Sequence, residues 1–427
     1  MLLTPIDIRL GRGEEHDARR DFVKDARQRA LVVRVQWDET IGRAAPVGPH
    51  RRGAEKAMQR ATHEARRAND KRRHAEIMRG MRLMVTGGAG FIGSNFIRYW
   101  FARHSGDEIV NVDLLTYAGD LANVADVARE RGDQYAFERA DICDAVAIDA
   151  IVAARRPDVI VNFAAESHNS RGVLDPGAFM RTNALGTQTL LEIARQRRVG
   201  RFHHISTCEV FGDLALDTTD SFTETSPFRP RTPYNASKAA AELIVHAYHE
   251  TYGLGTTITN CSNNYGPWQH PEKVIPLFAT NALDDEPLPL YRSSQNRREW
   301  LHVDDHCAAI EAVLQRGRLG ETYNVGSGDE RSIEQVADAV LDAADKPPSL
   351  KSYVDDRPGH DRRYLLDHSK ITRELGWRPV IPFDRGLRQT VEWYGSHREW
   401  WSPKKMLAKK QVDETAWRQP AETTGER

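Results

Sequence analysis

The stretch TGGAGFIG, residues 86–93, decides which fold this chain is expected to adopt. It follows the apolar run RLMVTG (82–87) and leads into a segment with helical periodicity, so its glycines mark a turn between a strand and a helix. Glycine permits a tight turn and a close approach of the backbone to a pyrophosphate, and the start of the helix offers free N–H groups to the phosphates. The turn therefore predicts a dinucleotide site. The residues expected to line it are Gly87, Gly90, Phe91, Ile92 and Gly93.

A carboxylate at the end of the next apolar run indicates which dinucleotide is bound. Asp113 ends the run EIVNVD (108–113), 20 residues after Gly93. A carboxylate at that place accepts hydrogen bonds from the adenosine ribose hydroxyls and repels a 2′-phosphate. Two leucines follow it, so no adjacent Arg favours NADP, and we predict NAD as the cofactor. Asp141 and Ile142, at the end of the third apolar run, are expected to border the adenine.

Short apolar runs alternate with helical segments from residue 81 onward, which predicts a parallel sheet covered by helices on both faces. The runs expected to form strands are RLMVTG (82–87), EIVNVD (108–113), YAFERADI (135–142), DVIVNFAA (158–165), RFHHIST (201–207) and TTITNCS (256–262). Beyond about residue 264 proline becomes frequent and the spacing loosens. We therefore predict an α/β protein, with a Rossmann-type doubly wound parallel sheet over 81–264 and a smaller C-terminal α/β substrate lobe over 265–400, whose segments interleave in part.

The two ends of the chain differ in composition from the part between them. Residues 1–80 carry 19 Lys and Arg against 12 Asp and Glu, with few large apolar side chains, which is typical of a basic, disordered extension. A basic arm for an anionic partner is the alternative. The net charge of −1 for the whole chain argues against a nucleic-acid binder. Residues 401–427 are expected to form a loose tail.

Cysteine usage and hydropathy limit the classes of protein to be considered. Cys143, Cys208, Cys261 and Cys307 are widely spaced, which fits neither a disulfide framework nor a cysteine zinc site. No apolar run approaches the roughly 20 residues that span a bilayer. We therefore expect a cytoplasmic protein with no metal centre, no membrane span and no nucleic-acid partner.

A tyrosine and a lysine four residues apart carry the chemistry predicted for the site. Tyr234 and Lys238 lie in TPYNASKAAAEL, where Pro233 favours a helix start and a spacing of four places both residues on one helix face. A nearby ammonium favours the phenolate, so the tyrosine can accept a proton from an alcohol while hydride leaves its carbon. Thr207, at the end of the run RFHHIST, supplies an accompanying hydroxyl. In a nucleotide-binding fold this combination predicts catalysis next to the cofactor.

Longer motifs around these residues resemble those of one enzyme family. From Met81 to about Trp401 the chain is similar to extended short-chain dehydrogenases/reductases, and more closely to dTDP-glucose 4,6-dehydratases. The motifs that carry the resemblance are VDLLTYAGDLANV (112–124), AAESHNSRG (164–172), STCEVFGDL (206–214), SNNYGPWQHPEKVIPL (262–277), NRREWLHVDDH (296–306) and RPGHDRRYLLD (357–367). The resemblance implies an N-terminal NAD domain, a C-terminal lobe for a nucleotide-diphosphate hexose, and a homodimer.

The same resemblance implies a reaction. Tyr234, assisted by Lys238 and Thr207, would take the proton of the sugar 4-hydroxyl while NAD takes the C4 hydride. The ketone acidifies the C5 proton, which Glu209 would remove. The 6-hydroxyl would leave as water and hydride would return to C6. The expected product is an NDP-4-keto-6-deoxyhexose.

Cys208 departs from the family pattern, in which this position is an aspartic acid that protonates the leaving hydroxyl. A thiol has an unperturbed pKa of about 8.5, against about 3.9 for Asp, so it is a weaker acid. Either Cys208 still donates the proton, or it fills space at the strand end while water or Glu209 is the acid. The alternatives to dehydration are an NDP-sugar 5,6-dehydratase, a nucleotide-uronate decarboxylase, and a protein that binds NAD without catalysis.

Charged and polar side chains in the matched motifs are expected to hold the nucleotide sugar. Arg298 and Arg357 can bind diphosphate oxygens with their forked guanidinium groups. The other residues that match substrate-contacting positions are Asn264, Glu272, Lys273, Tyr291 and His360. Departures from the family at residues 169–170 and 331–333 leave the base and the sugar open.

Overall fold

The computed structural model describes residues 80–356 and 361–415, which contain a parallel sheet of seven strands. The strands, in chain order, are β1 Arg82–Thr86, β2 Glu108–Asp113, β3 Tyr135–Arg139, β4 Val159–Asn162, β5 Arg201–Thr207, β6 Thr256–Cys261, β7 Asn263–Tyr265, β8 Leu288–Tyr291, β9 Arg297–His302, β10 Thr322–Val325, β11 Glu330–Ser332 and β12 Lys351–Val354. The main sheet has the spatial order β10-β6-β5-β4-β1-β2-β3. Strands β4, β6 and β10 are buried along their whole length, as expected of a sheet covered on both faces.

Helices cover the two faces of the main sheet. The helices, in chain order, are α1 Phe91–Arg103, α2 Ala125–Arg131, α3 Ala145–Arg155, α4 Asn169–Leu174, α5 Pro176–Phe179, α6 Thr187–Arg197, α7 Pro233–Tyr252, α8 Val274–Leu283, α9 Val303–Arg316, α10 Ile333–Ala343, α11 Ser369–Leu375, α12 Phe383–Ser396 and α13 Arg398–Thr415. Trp100 of α1 and Ile310 of α9 belong to the core on one face. Ile148 of α3, Leu191 of α6 and Val245 of α7 belong to the core on the other. None of the helices in the described ranges combines the length and apolarity needed to cross a membrane.

The doubly wound α/β fold predicted from the strand pattern is confirmed. Each of the six predicted runs contains one strand of the main sheet. The seventh strand, β10, comes from well beyond residue 264 and pairs in parallel with β6. The C-terminal part of the chain therefore contributes to the nucleotide-binding sheet as well as to its own lobe.

The remaining C-terminal elements form the smaller α/β lobe. Strand β9 pairs antiparallel with β11 and parallel with β7, while β8 pairs in parallel with β12. Helices α8, α10 and α12 pack around a separate core that includes Phe278, Trp300, Val336 and Leu387. This lobe carries most of the residues expected to hold the nucleotide sugar.

The chain beyond residue 400 differs from the loose tail expected there. Helix α13 runs to Thr415, and Trp401 is buried with its indole N–H donating to the carbonyl of Tyr394 at 2.7 Å. Lys405 is also buried, 2.7 Å from the carboxylate of Asp284. A contact between residues as far apart in the chain as Lys405 and Asp284 produces no pattern in the local sequence from which it could be predicted. The predicted basic extension, apart from Gly80, and residues 416–427 lie outside the described residues.

Candidate active site

The carboxyl end of β5 carries three of the predicted catalytic residues. Thr207 ends the strand, and Cys208 and Glu209 begin a 3-10 turn. The Thr207 hydroxyl oxygen accepts the backbone N–H of Glu209 at 3.3 Å and so caps this turn. Ligands of open α/β sheets bind outside the carboxyl ends of the strands, so the three side chains stand at the edge where the fold favours a site.

Helix α7 brings the predicted tyrosine to the same place. It begins at Pro233 after Thr232, whose side chain accepts a backbone N–H of the first turn and fixes the helix start. The Tyr234 hydroxyl then forms a side-chain hydrogen bond with Thr207. The charge of Glu209 acts on the same phenol. The structure thus brings together the threonine, the carboxylate and the tyrosine that the sequence predicted as one constellation.

The electrostatics of Tyr234 differ from the prediction that a neighbouring ammonium favours the phenolate. Burial raises the pKa of Tyr234 well above its ordinary value, the carboxylate of Glu209 raises it further, and the hydrogen bond with Thr207 acts in the opposite direction. The side chain of Lys238 is instead held by the strand beneath it. At neutral pH the phenol in this structure therefore keeps its proton.

Lys238 is buried against β5, with only 3% of its surface exposed. Its ammonium donates to the carbonyl of Ile205 at 2.7 Å and lies 3.2 Å from Nε2 of His204. Burial lowers the pKa of Lys238 to about 8, while the carboxylate of Glu242 raises it. The lysine is rigidly placed, and its charge depends on its neighbours.

Cys208 is buried in a small apolar cluster. It is 1% exposed and packs in a group that includes Phe211, Phe222 and Tyr364. Burial raises the pKa of the thiol well above its ordinary value, and the charge of Glu209 adds to this. A thiol in such surroundings stays protonated at neutral pH and is a poor proton donor.

The glycine turn has the geometry that a dinucleotide requires. Gly87 has a φ of +69°, and a Cβ added there would lie 2.6 Å from the backbone nitrogen of Ala164. A Cβ on Gly93 would lie 2.4 Å from the carbonyl oxygen of Gly87. Side chains are thus excluded where the backbone must approach the pyrophosphate, and Phe91 starts α1 at this point. The turn fits the predicted NAD.

Asp113 ties the end of β2 to the glycine turn. One carboxylate oxygen accepts the N–H of Ala89 at 3.0 Å and the other accepts the N–H of Leu115 at 2.8 Å. Burial raises the pKa of Asp113, and these two bonds act against the rise. Of the two residues expected near the adenine, Asp141 is half-buried and accepts a backbone N–H two residues further on at 2.9 Å, whereas Ile142 is buried in the core.

Glu272 is the centre of a charged and aromatic cluster. The Tyr117 hydroxyl forms a hydrogen bond with its carboxylate, and Nε2 of His168 lies 3.6 Å from it. The guanidinium of Arg171 lies 3.7 Å from the centre of the Tyr117 ring. Lys273, the other residue predicted here, donates to the carbonyl of residue 167 at 3.0 Å. Burial raises the pKa of Glu272, so the cluster holds a carboxylate in a poorly solvated place.

Several members of this cluster were missed as site residues, although they lie in motifs that were recognised. The residues that the structure adds around Glu272 are Tyr117, Glu166, His168, Arg171 and His270. The motifs TYAG and AAESH contain three of them. The motifs therefore indicate the region of the site, but they do not show which of their side chains point towards Glu272.

Asn183 is a further residue that the sequence did not suggest. It lies in a π-helical turn, Met180–Gly186, and donates to the hydroxyl of Ser237 at 2.8 Å and to the carbonyl of Glu166 at 2.9 Å. It also accepts the N–H of Glu166 at 2.9 Å. Asn183 therefore fixes the AAESH loop against helix α7 next to Tyr234, and π-turns of this kind are frequent at functional sites.

The predicted substrate residues of the C-terminal lobe are placed less uniformly. Arg298 is buried and donates to the backbone carbonyls of Arg297, Asp361 and Arg362 at 2.5–3.1 Å. The Asn264 side-chain oxygen lies 2.9 Å from Nδ1 of His306. The other predicted positions are Tyr291, at the end of β8, and Arg357 and His360, which lie outside the described residues.

Comparison with known proteins identifies the family. A family model described as GDP-mannose 4,6 dehydratase matches residues 84–390. The dTDP-glucose 4,6-dehydratase of Shigella flexneri is 47% identical over 343 residues, which cover 75% of this chain and 94% of that protein. This chain belongs to the nucleotide-sugar 4,6-dehydratase family.

Further family members agree with this assignment. A dTDP-glucose 4,6-dehydratase of Streptomyces niveus is 48% identical over 329 residues, covering 76% of this chain and 96% of that protein. A dTDP-glucose 4,6-dehydratase of Streptomyces venezuelae, crystallised with NAD, is 49% identical with a TM-score of 0.73, covering 76% of this chain and 100% of that one. The resemblance stated from the motifs is therefore confirmed, with the expected enzyme class, an NAD-dependent nucleotide-sugar dehydratase.

Proposed function

We propose that this family member converts a nucleotide-diphosphate hexose into its 4-keto-6-deoxy derivative, with dTDP-glucose as the substrate. The identity of about half to dTDP-glucose enzymes supports the nucleotide and the sugar. The main observation that supports this reaction is made at the junction of β5 and α7. There the Tyr234 hydroxyl interacts with the Thr207 hydroxyl, and the charge of Glu209 raises the pKa of Tyr234. An alcohol oxidation and a proton abstraction need these two groups side by side.

In the first step Tyr234 accepts a proton from the sugar. When bound, NAD supplies the hydride acceptor for C4 of the sugar, the hydride donor for C6, and a positive ring charge. Tyr234 takes the proton of the 4-hydroxyl, and Thr207 orients the phenol through their shared hydrogen bond. Burial and the charge of Glu209 raise the pKa of Tyr234, so ionisation of the phenol depends on positive charge close to it. We assign part of that charge to Lys238, one helical turn further along α7.

In the second step Glu209 first accepts a proton and then donates it. Once C4 is a ketone, the C5 proton is acidic and a carboxylate within reach removes it. The protonated Glu209 then gives this proton to the departing 6-hydroxyl. When hydride returns to C6, C5 takes up a proton, which balances the proton that Tyr234 removed from the 4-hydroxyl. We favour Glu209 over Cys208 as this acid, because burial raises the pKa of the thiol well above that of a useful donor at neutral pH.

Binding of NAD and binding of the nucleotide sugar are assigned to different parts of the chain. Residues 81–264 chiefly hold NAD and carry the catalytic groups, and residues 265–400 chiefly hold the nucleotide sugar. Glu272 and Lys273 are proposed to bind the hexose and its diphosphate, and Arg298 to lie against the phosphates. Asn264, Tyr291, Arg357 and His360 stay predictions for the same lobe.

The assembly is proposed to be a homodimer in the cytoplasm. Leu243 of α7 is 59% exposed, and Leu185 and Met180 of the adjoining π-turn are 58% and 44% exposed. Exposed apolar side chains on neighbouring helices are typical of a surface that a second copy covers. Sedimentation of Leu243→Glu beside the unchanged protein tests this, since a monomeric variant is expected.

The function is tested by incubating the purified protein with dTDP-, UDP-, GDP- and CDP-hexoses and following the product by mass spectrometry. Loss of one water from dTDP-glucose, with a 4-keto-6-deoxy product by NMR, is expected. A 5,6-alkene or loss of CO₂ from a uronate would instead select one of the other reactions. Bound NAD without turnover of any sugar would refute the proposal.

The roles of individual residues are separated by isotope exchange. Tyr234→Phe is expected to lower turnover at least about 100-fold, because the C4 oxidation loses its base. Glu209→Gln should still oxidise C4 but should exchange the C5 proton with deuterated water far more slowly. Exchange at the unchanged rate in Glu209→Gln would remove this residue from the mechanism.

A further inference from the structure

One face of α7 carries three ionisable side chains at intervals of four residues, Tyr234, Lys238 and Glu242. The first two belong to the proposed mechanism, and Glu242 does not. Glu242 is nonetheless 1% exposed. A carboxylate is costly to bury unless charge or hydrogen bonds compensate for the lost water, so the position of Glu242 calls for a physical reason.

The carboxylate of Glu242 is bonded to strand β5 beneath the helix. The hydroxyl of Ser206 donates to one of its oxygens at 2.5 Å, whereas the other oxygen and the buried side-chain amide of Asn260, from β6, have no hydrogen-bond partner among the described residues. Burial raises the pKa of Glu242 to about 7, while the hydrogen bond from Ser206 and the charge of Lys238 lower it. The group is thus balanced near neutrality rather than locked in one state.

Lys238 meets ionisable groups from each element that packs against it. His204 of β5 is neutral, because burial and then the charge of Lys238 lower its pKa well below the ordinary value. Cys261 of β6 is a protonated thiol, since burial raises its pKa to about 12. On the helix itself Tyr234 is protonated, and Glu242 becomes a carboxylate as pH rises through its pKa of about 7. Within the described part of the chain, Glu242 is therefore the carboxylate that offsets the charge of Lys238.

We propose that Glu242 is a positioning residue for the reaction, whose carboxylate keeps Lys238 charged and seated on Ile205 and His204, and thereby sets the upper pH limit of catalysis. The proposal rests on the proposed function of Tyr234 and Lys238. An uncharged amine would donate weakly to the carbonyl of Ile205, now 2.7 Å away, and would no longer help the phenol to ionise.

The direction of the effect follows from the sign of the charge. Removing a negative charge beside a buried ammonium disfavours the ammonium, so the pKa of Lys238 falls and activity is lost at lower pH than in the unchanged protein. An Asp at 242 keeps the charge at a slightly greater distance. An Ala at 206 removes a hydrogen bond that favours the carboxylate, so it should act in the same direction as loss of the charge, but less strongly.

The test measures kcat and KM for dTDP-glucose from pH 6 to pH 9.5 in Glu242→Gln, Glu242→Asp and Ser206→Ala. Glu250→Gln is the matched control, because Glu250 is an exposed glutamate on the same helix. For Glu242→Gln the alkaline limb of kcat is expected to move down by about one pH unit, so that kcat above pH 8.5 is up to about tenfold lower than in Glu250→Gln, with KM changed little. Glu242→Asp, which keeps the charge, should show little of this shift, and Ser206→Ala should show a smaller shift than Glu242→Gln.

A second readout does not depend on turnover. Because the pKa of Glu242 is raised in the folded state, its contribution to stability is lost as pH rises towards 7. This decrease in the urea midpoint should be smaller in Glu242→Gln than in Glu250→Gln, because the other buried carboxyl groups keep their own contributions in both variants. If Glu242→Gln does not fold, the position of the alkaline limb of kcat in Ser206→Ala tests the positioning role of Glu242.

The outcomes separate this inference from the proposed function. No turnover by the unchanged protein on any nucleotide hexose overturns the function, while the urea series still tests Glu242. An active Glu242→Gln whose alkaline limb coincides with that of Glu250→Gln overturns the positioning role, and so does an unshifted Ser206→Ala when Glu242→Gln does not fold. A loss of kcat that is equal at every pH also overturns it, because that is the result of a purely structural change.

Discussion

The two sides of the site are built from different parts of the polypeptide. At the glycine turn the backbone is the binding surface, and a single added Cβ would lie 2.4 Å from a carbonyl oxygen. Around Glu272 the surface consists of side chains, and burial shifts the pKa of its carboxylates upward. Binding at the glycine turn should depend on side-chain volume and little on pH, whereas binding around Glu272 should depend on pH and less on volume. Substitutions on each side test this contrast.

The largest effect is expected at the glycine turn. Gly93→Ala places a methyl group against the carbonyl of Gly87, so the turn must open and NAD binding should weaken at least about 100-fold at every pH. Calorimetric titration with NAD measures this. Gly106→Ala is the control, because a Cβ there meets nothing within 4 Å. Equal NAD affinity in the two variants would contradict the shape argument.

The next effect is expected on the sugar side. Glu272→Gln keeps the size of the side chain and removes its charge, so kcat/KM for the nucleotide sugar should fall about 10- to 100-fold while NAD affinity stays unchanged. Steady-state kinetics and NAD titration on one preparation separate the two. A loss of NAD binding in this variant would mean that the two sides are not independent.

A third prediction concerns pH and stability in the sugar lobe. Glu299 is fully buried and accepts the N–H groups of Gly328 and Leu366 at 2.7 and 3.1 Å. Burial raises its pKa to about 7, so its contribution to stability is present below pH 4.5 and is lost as pH rises through 7. The free energy of unfolding, relative to Glu299→Gln, should fall by on the order of 3 kcal/mol across that window. Urea unfolding at several pH values measures it, and a flat difference would contradict it.

The smallest effect is expected at Cys208. If Glu209 is the acid, Cys208→Ala should keep turnover within about tenfold and should mainly cost packing in the cluster with Phe211 and Tyr364. Cys208→Asp introduces a stronger acid and shows whether a second donor speeds the loss of water. A loss of more than about 100-fold in Cys208→Ala, with an unchanged melting temperature, would return the proton-donor role to the thiol.

Prediction from the sequence succeeded where local spacing sets the secondary structure. The strand, glycine turn and helix at residues 86–93 and the pair Tyr234 and Lys238 need only neighbouring residues to be read, and the structure places them as expected. Spacing did not show that burial and the charge of Glu209 raise the pKa of Tyr234, so the assistance expected from Lys238 has to act against both and stays a prediction. The surroundings of the two side chains are set by contacts which spacing does not reveal.

The sequence by itself determined the parallel α/β fold, the NAD turn and the family, because periodicity, glycine placement and motif order are properties of short segments. Tertiary structure alone decided that β10 completes the main sheet, that Trp401 belongs to a core, and that Cys208 is buried. It also decided that Glu242 and His204 surround Lys238. These features depend on contacts between residues far apart in the chain and on the water those contacts exclude, and both exist only once the chain has folded.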